Sequence, residues 1–311
     1  LYVGTRDAFN LLGEYNFSLD TKIVYGLDNE FDKADFTTWA VSGNQVADEA
    51  IYSQYVDLQY RPTEKLYSTI GFRRDDHTTA GAYETSRITF AYKPDSKTKF
   101  RSSFGTGIRF PSLNDYFYDT NVKTKEDLSP EKSKSFDFGV EKIIEKYNIN
   151  LDLTFFKVKY DDNISNWEGN TDRGKTPGGS VIQNSSGKIE SKGFEISSEW
   201  KPQKDFFLVL GYTLTDAYDG EDCDDPDYAK WQALFNQCLD EMPVRVPRHS
   251  LNVSLNKKFS DDFSSSLLIK YAGERRDYGN VNNGYNDVLL SDYTTVDFFG
   301  NYNIHENYNL Y

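Results

Sequence analysis

TKFRSSFGTGIRFPSLNDYFYDTNVKTKEDLSPEKSKSFDFGVEKII, residues 98–144, reads as a strand, a long polar loop and a second strand running back. On the first strand Phe100, Phe104 and Ile108 alternate with Lys99, Arg101, Ser103, Gly105 and Arg109. On the second, Phe136, Phe138 and Val140 alternate with Ser135, Asp137, Gly139 and Glu141. Alternation of period two gives each strand one apolar and one polar face. The loop between them is far longer than a hairpin needs, and loops beyond about 12–15 residues are usually functional or disordered. The unit is therefore a long antiparallel pair with an elaborate tip at one end.

Composition widens this reading to the whole chain. The 311 residues carry 23 Tyr and 22 Phe but one Met, a balance that favours strands, where aromatic side chains fit the pleat. Mean hydropathy is −0.69. No apolar run approaches the ~18 residues of a membrane helix; the longest is Phe206 to Leu210. Barrel strands need only about 10 alternating residues, so low mean hydropathy does not exclude a membrane. The net charge of −14 argues against nucleic acid, which attracts a clustered basic face.

The same grammar repeats along the chain. Strands are expected around Phe9–Phe17, Lys22–Asp28, Tyr52–Tyr60, Leu66–Phe72, Ile88–Tyr92, Ile149–Phe155, Phe194–Trp200, Phe206–Leu214, Leu251–Leu255, Leu267–Tyr271 and Val296–Tyr302. Short turns such as Lys93-Pro94-Asp95-Ser96, Lys201-Pro202-Gln203-Lys204 and Ser260-Asp261-Asp262 alternate with polar excursions. Those excursions are expected at 29–48, 75–83, 161–187, 217–247 and 277–290. All short turns then lie at one end of a sheet and all long loops at the other. Sandwiches and propellers do not keep that asymmetry over so many strands; outer-membrane barrels do. The fold class is thus all-β, an antiparallel transmembrane β-barrel wall with short periplasmic turns and long extracellular loops. Its apolar face would meet lipid, and Asp57, Arg101, Asp137, Glu141, Asp152, Glu195 and Asp297 would face a lumen. Tyr60, Tyr92, Trp200 and Tyr271 suit an interfacial aromatic girdle.

Particular motifs now carry a resemblance. Gly105-Thr106-Gly107-Ile108-Arg109-Phe110-Pro111-Ser112-Leu113, followed by Leu128-Ser129-Pro130-Glu131-Lys132-Ser133, resembles the barrel signature of TonB-dependent outer-membrane receptors. In that family a G-x-G-x-[RK]-x-P strand end leads to a loop closing with L-x-P-E-x-S. Asn184-Ser185-Ser186-Gly187 with Gly193-Phe194-Glu195 is similar to the family's N-x-G…G-[VF]-E strand, and Val246-Pro247-Arg248-His249 to its P-x-H strand start. Two departures stand out: Lys125-Glu126-Asp127-Leu128 replaces the usual N-P-[ND]-L, and Asp137 stands where Glu is common. The branch with cobalamin and siderophore transporters is the most similar. The resemblance implies that residues 1–311 form one partial barrel domain, about 13–14 strands of a barrel of about 22. It also implies that the N-terminal plug and the terminal strand lie outside this sequence. An outer-membrane location in a Gram-negative bacterium follows, as do three partners: a TonB-type inner-membrane energy complex reached through the plug, membrane lipid and a small-molecule ligand.

The chemistry-bearing stretches are few. Gly169–Thr176 fits the P-loop expression, but Pro177-Gly178-Gly179 forbids the helix a P-loop requires. Asp219–Asp227 concentrates carboxylates without the spacing of a calcium loop, which favours a solvated acidic tip. Beyond it, Tyr228, Trp231, Leu234 and Phe235 form a helical stripe. Cys223 and Cys238 sit close together in a hydrophilic excursion, favouring a disulfide in an oxidising compartment over two free thiols. His77, His249 and His305 are scattered, so no metal site or catalytic triad is visible, and no cofactor is expected. His249 reads as a hydrogen-bonding anchor at a strand start. No nucleophile–base arrangement marks an enzyme. Ligand capture falls to loop aromatics and an arginine: Tyr116, Phe117, Tyr118, Trp167, Tyr218, Trp231 and Arg275. The expected function is energy-dependent uptake of a scarce large solute, with a passive porin as the alternative.

Overall fold

The structure is a computed structural model describing residues 2–36, 45–113, 115, 128–167, 181–184, 188–220, 243, 245–281, 284–305 and 308–310. Its strands in chain order are β1 (Tyr2–Asn16), β2 (Thr21–Phe36), β3 (Gln45–Thr63), β4 (Leu66–His77), β5 (Gly81–Asp95), β6 (Thr98–Arg109), β7 (Glu131–Ile144) and β8 (Ile149–Asp161). They continue with β9 (Ile164–Trp167), β10 (Val181–Asn184), β11 (Lys188–Gln203), β12 (Phe206–Gly220), β13 (His249–Lys258) and β14 (Phe263–Ala272). The last four are β15 (Arg275–Val281), β16 (Gly284–Leu290), β17 (Tyr293–His305) and β18 (Tyr308–Leu310).

Fourteen strands form one antiparallel sheet in which every strand pairs with its sequence neighbours, with β9–β10 and β15–β16 set aside as separate two-stranded hairpins. The sheet is not closed: β1 and β18 are its edges. Because neighbours in sequence are neighbours in space, the wall is a continuous meander of the kind the alternation of turns and loops requires.

The short turns are built from their own side chains. Ser18 Oγ accepts the Asp20 N–H, Thr63 Oγ1 the Leu66 N–H, Asp95 Oδ1 the Lys97 N–H and Ser260 Oγ the Phe263 N–H. Ser, Thr and Asp favour turns because such local bonds replace lost ladder bonds. At the β7–β8 turn a 3₁₀ turn over Glu145–Tyr147 ends on Asn148 in the left-handed region.

The two faces differ as the alternation demands. Leu58, Ile70, Phe104 and Phe136 lie on one cross-strand row of the outer face and are exposed. On β12 the outward apolar run extends from Phe206 to Leu214, the length a tilted barrel strand needs, about 9–11 residues. Tyr60, Tyr92 and Trp200 stand beside short turns, at one rim of this band. In a water-soluble protein an apolar patch of this extent would mark an interaction surface; a lipid annulus is the matching environment.

The inner face is charged, and many of its charges are paired. Arg101 Nη2 donates to Asp152 at 2.8 Å and to Thr154 Oγ1 at 2.6 Å, while Lys99 reaches Glu141 at 2.7 Å. Ser103 donates to Asp137. Across β2–β4, Arg73 bridges Asp28 and Asp75, both at 2.8 Å, and Ser53 donates to Asp75 at 2.6 Å. Glycine on β7 makes room for one of these arginines: a Cβ on Gly139 would come 2.8 Å from the Arg101 guanidinium carbon. Gly139→Val is therefore expected to displace Arg101 and destabilise the wall by about 1–3 kcal/mol. Urea unfolding of the variant in detergent, with Arg101→Ala beside it, checks this. The two losses should not add, because they remove the same contact.

Strand extents depart from expectation on the long-loop side. Residues 29–36 and 45–52 are paired strand, not an excursion, in unbroken register from Asn29↔Tyr52 to Phe36↔Gln45. The excursion at 75–83 shrinks to three residues, because strand pairing holds to His77↔Gly81. The stretch 161–187 contains the β9–β10 hairpin, β12 runs on to Gly220, and 277–290 lies within the β15–β16 hairpin. Apolar residues are sparse in these segments: on the outer face of 29–36 and 45–52 they are Phe31, Val46, Ala50 and Tyr52. Backbone pairing needs no apolar stripe where water bathes both sides, so the strands continue past the point where hydrophobic alternation stops.

Candidate functional site

The long-loop end of the inner face is where the signature residues converge. Chain leaving β6 does not rise freely; it crosses the tops of its neighbours. Phe110 stacks on His77 of β4, ring centroids 4.7 Å apart and planes 27° apart, and meets Tyr83 of β5 edge-on at 5.9 Å. Pro111 is fully buried, and Leu113 packs with Ala34 of β2 and Ala47 of β3. Ser112 and Asp115 close a turn, with the Asp115 carboxylate accepting the Ser112 N–H at 2.8 Å.

His77 is the floor of this crossing. It is 1% exposed, and its Nδ1 accepts the N–H groups of Thr79 at 3.1 Å and Ala80 at 3.0 Å. An accepting Nδ1 leaves the proton on Nε2, so the hydrogen bonds select a neutral ring in one tautomer. Nε2 lies 3.3 Å from Glu49 Oε2 but is not aligned for a hydrogen bond, and both atoms are buried without one. Gly81, at φ +85°, completes the tight connection in a conformation that a side chain would resist.

A clasp joins the two strands that bracket the signature loop. Arg109, last in β6, makes a bidentate pair with Glu131, first in β7, at 2.6 and 2.7 Å. Glu131 Oε1 also accepts the Ile164 N–H at 2.8 Å, which ties the clasp to β9. The Arg109 guanidinium, with the Ile164 N–H, holds the Glu131 carboxyl below its ordinary value of 4.5 despite partial burial. A depressed carboxyl contributes stability that is complete above its unfolded value and lost as pH falls through the folded one. The clasp should thus be constant from neutral pH down to about 5 and weaken progressively as pH falls below the ordinary carboxylate value, opening only below the lower folded one. Hydrogen exchange at the Ile164 amide, corrected for intrinsic rates, reads this directly. Glu131→Gln should abolish the pH dependence.

Asn184 is the second tie. Its Oδ1 accepts the Ser129 N–H at 2.8 Å, and its Nδ2 donates to the Ser129 and Asp162 carbonyls at 2.8 and 2.7 Å. One amide side chain thereby locks the L-S-P segment to the loop after β8, with Pro130 and Leu128 buried beneath. Asn184→Ala removes three part-buried hydrogen bonds and should cost about 1–3 kcal/mol locally, read as lost exchange protection at the Ser129 amide.

Other expected residues fall in varied places. Tyr116, Phe117, Tyr118, Trp231, Cys223 and Cys238 lie outside the described residues, as do Gly169–Thr176 and Glu221–Asp227. Trp167 ends β9, with its side chain outside the described part. Arg275 opens β15 with its guanidinium 4.9 Å from the Tyr293 ring centroid and Nη1 buried without a hydrogen-bond partner. Tyr218, expected in a loop, lies on β12 and faces Glu190 across β11–β12 on the outer face. His249 accepts or donates at Nδ1 with the Tyr212 hydroxyl, 2.8 Å away, at the start of β13. Among the described residues no group of three or more His, Cys, Asp or Glu could hold a metal ion.

Comparison with known proteins gives this geometry a family. The family model described as TonB dependent receptor-like, beta-barrel, matches residues 2–311. The chain belongs to the TonB-dependent receptor β-barrel family. It is 23% identical over 235 residues to the vitamin B12 transporter BtuB of Vibrio vulnificus, a match covering 75% of this chain and 32% of that protein. Among solved structures, the siderophore receptor PirA of Acinetobacter baumannii superposes with a TM-score of 0.75 at 15% identity, over 97% of this chain and 48% of PirA. A ferric enterobactin receptor (PfeA) mutant from Pseudomonas aeruginosa gives 0.74 at 14% identity, over 98% and 47%. The chain thus spans about half the length of these structural relatives and a third of the transporter. The relatives are receptors and transporters, not enzymes. The TonB-dependent receptor fold explains the open sheet: these strands are one continuous arc of a barrel wall.

Proposed function

We propose that this TonB-dependent receptor barrel belongs to an outer-membrane receptor for energy-dependent uptake of a scarce, large solute, a cobalamin or an iron–siderophore complex. The observation that carries the reading is the family match over residues 2–311, and the named relatives supply the solute classes. The lipid-ready outer face and the charged inner face support a Gram-negative outer-membrane location. Paired charges such as Arg101–Asp152 and Arg73–Asp28 suit a hydrated lumen wall, because each ion is compensated before any solute arrives.

In this mechanism the long loops capture the solute. A TonB-type complex in the inner membrane then pulls on a plug domain, which lies outside the 311 residues, and opens the lumen. Tyr116, Phe117, Tyr118, Trp167, Trp231 and Arg275 are the proposed ligand contacts; aromatic faces and a cation suit a large polar solute. The clasp of Arg109 with Glu131 and the Asn184 tie hold the loop bases in place while the tips bind.

The test is uptake of radiolabelled cobalamin and of ferric siderophores by cells producing the whole receptor, with and without a functional inner-membrane energy complex. Uptake of one solute class that vanishes without the complex is expected. Uptake that persists, with ohmic conductance in a planar bilayer, would replace this reading with a passive porin.

A further inference from the structure

The outward parity of the strands does not end where the apolar band ends. Above Phe136 on β7 the next outward residue is Lys134, and above Phe155 on β8 come Lys157 and Lys159. Lys134 and Lys159 are direct cross-strand partners, and Lys159 is in turn opposite Glu190 of β11. Lys157 and Lys159 both reach the Glu190 carboxylate, at 2.6 and 3.0 Å. Lys134 has no hydrogen bond or ion pair among the described residues. The three ammonium groups have one carboxylate within ion-pair distance, Glu190, in a chain whose net charge is −14, and Asp161, the next outward residue of β8, lies opposite Lys132. The flanking lysines are neutralised: Lys132 by Asp162 at 2.7 Å and Lys192 by Asp216 at 3.6 Å.

Like charges placed directly across a sheet destabilise it. Lys134 opposite Lys159 is therefore a local cost that a bound anion would relieve. Position says which anion. The three lysines continue the lipid-facing surface, on the side of the long loops, one or two outward positions beyond Phe136 and Phe155. A lysine there lays its aliphatic stem along apolar surface and holds its ammonium at headgroup depth. Basic residues clustered at a membrane boundary attract anionic lipid headgroups. We propose that Lys134, Lys157 and Lys159, organised around Glu190, bind the phosphate-bearing headgroup of an anionic lipid in the leaflet on the long-loop side. Glu190 sets the spacing of two ammonium groups, Lys134 supplies the third, and the phosphate sits between them. The site rests on the proposed membrane-embedded function.

The whole receptor, purified in a non-ionic detergent, is titrated with phosphatidic acid or phosphatidylcholine, and bound lipids are counted by native mass spectrometry. Preferential phosphatidic acid adducts are expected for the unaltered receptor. K134Q/K157Q/K159Q should lose about tenfold or more of that binding. Glu190→Gln, which removes the carboxylate that Lys157 and Lys159 share, should keep it or raise it. Heat-modifiable gel migration confirms that each variant is folded. Equal phosphatidic acid binding by the unaltered and triple-variant receptors would overturn the site. Displacement of the adduct by equimolar inorganic phosphate would overturn the lipid assignment in favour of a free-anion site. Vesicles of pure phosphatidylcholine separate the two levels. Insertion without phosphatidic acid preference removes the headgroup site alone, whereas a receptor that remains in solution without detergent removes the embedded reading beneath it.

Discussion

Leu210→Lys is expected to destabilise the barrel by about 2–4 kcal/mol in a bilayer, whereas Ser197→Lys should change stability by less than about 1 kcal/mol. The two positions lie on adjacent strands and differ in face. Leu210 is central in the outward run Phe206–Leu214 of β12, so its substituent would enter the hydrocarbon layer. Ser197 of β11 pairs with Asp152 of β8, on the inner face beside Glu141, where an ammonium group finds carboxylates and water. A soluble protein with the same fold would show no such contrast, since water would bathe both faces. Urea-dependent folding of the receptor into phosphatidylcholine vesicles measures the difference. Near-equal costs at the two positions would sink the assignment of faces and, with it, the membrane reading.

That contrast also marks what the sequence makes legible. Alternation of Phe136, Phe138 and Val140 with Asp137 and Glu141 assigns faces wherever one side is apolar, and the inward charges Asp57, Arg101, Asp137 and Asp152 follow from it. Ser, Thr and Asp at the turns mark where strands reverse. Legibility fails where apolar residues become sparse. Residues 29–36 and 45–52 carry no period-two signal, yet pair without a break, so the strands overshoot the band. The same blindness concealed β9–β10 and β15–β16 and placed Tyr218 in a loop, although it lies on β12 in register with Glu190. At the candidate site, the signature named Arg109, Phe110, Pro111 and Glu131 without showing that they clamp a loop base onto β2–β5. His77 was visible only as an isolated histidine. Its role depends on Thr79, Ala80, Glu49 and Phe110, which only the fold brings together. The Lys-x-Lys repeats at 132/134 and 157/159 were legible in principle, as outward positions continuing past an apolar run.

His77→Ala should then be the most costly single change at the mouth, about 2–4 kcal/mol, from three losses at one ring. The Thr79 and Ala80 N–H groups lose their acceptor in a connection of only three residues, where no backbone carbonyl replaces it. Phe110 loses the surface it stacks on, and the fully buried ring leaves a cavity beside Glu49. His77→Asn separates these contributions. Its side-chain oxygen can accept the same two N–H groups, as in an Asx turn, but it offers no ring to Phe110. The asparagine variant should therefore recover the turn and roughly half of the stability, while the loop base stays loosened. Urea unfolding gives the total, and exchange protection at the Thr79 amide reports the turn alone. If alanine and asparagine lose protection at Thr79 equally, the hydrogen-bonding role of Nδ1 is wrong and His77 acts only by filling space. If asparagine restores the turn and cobalamin or siderophore uptake stays low, the Phe110 stack is what carries loop position into transport.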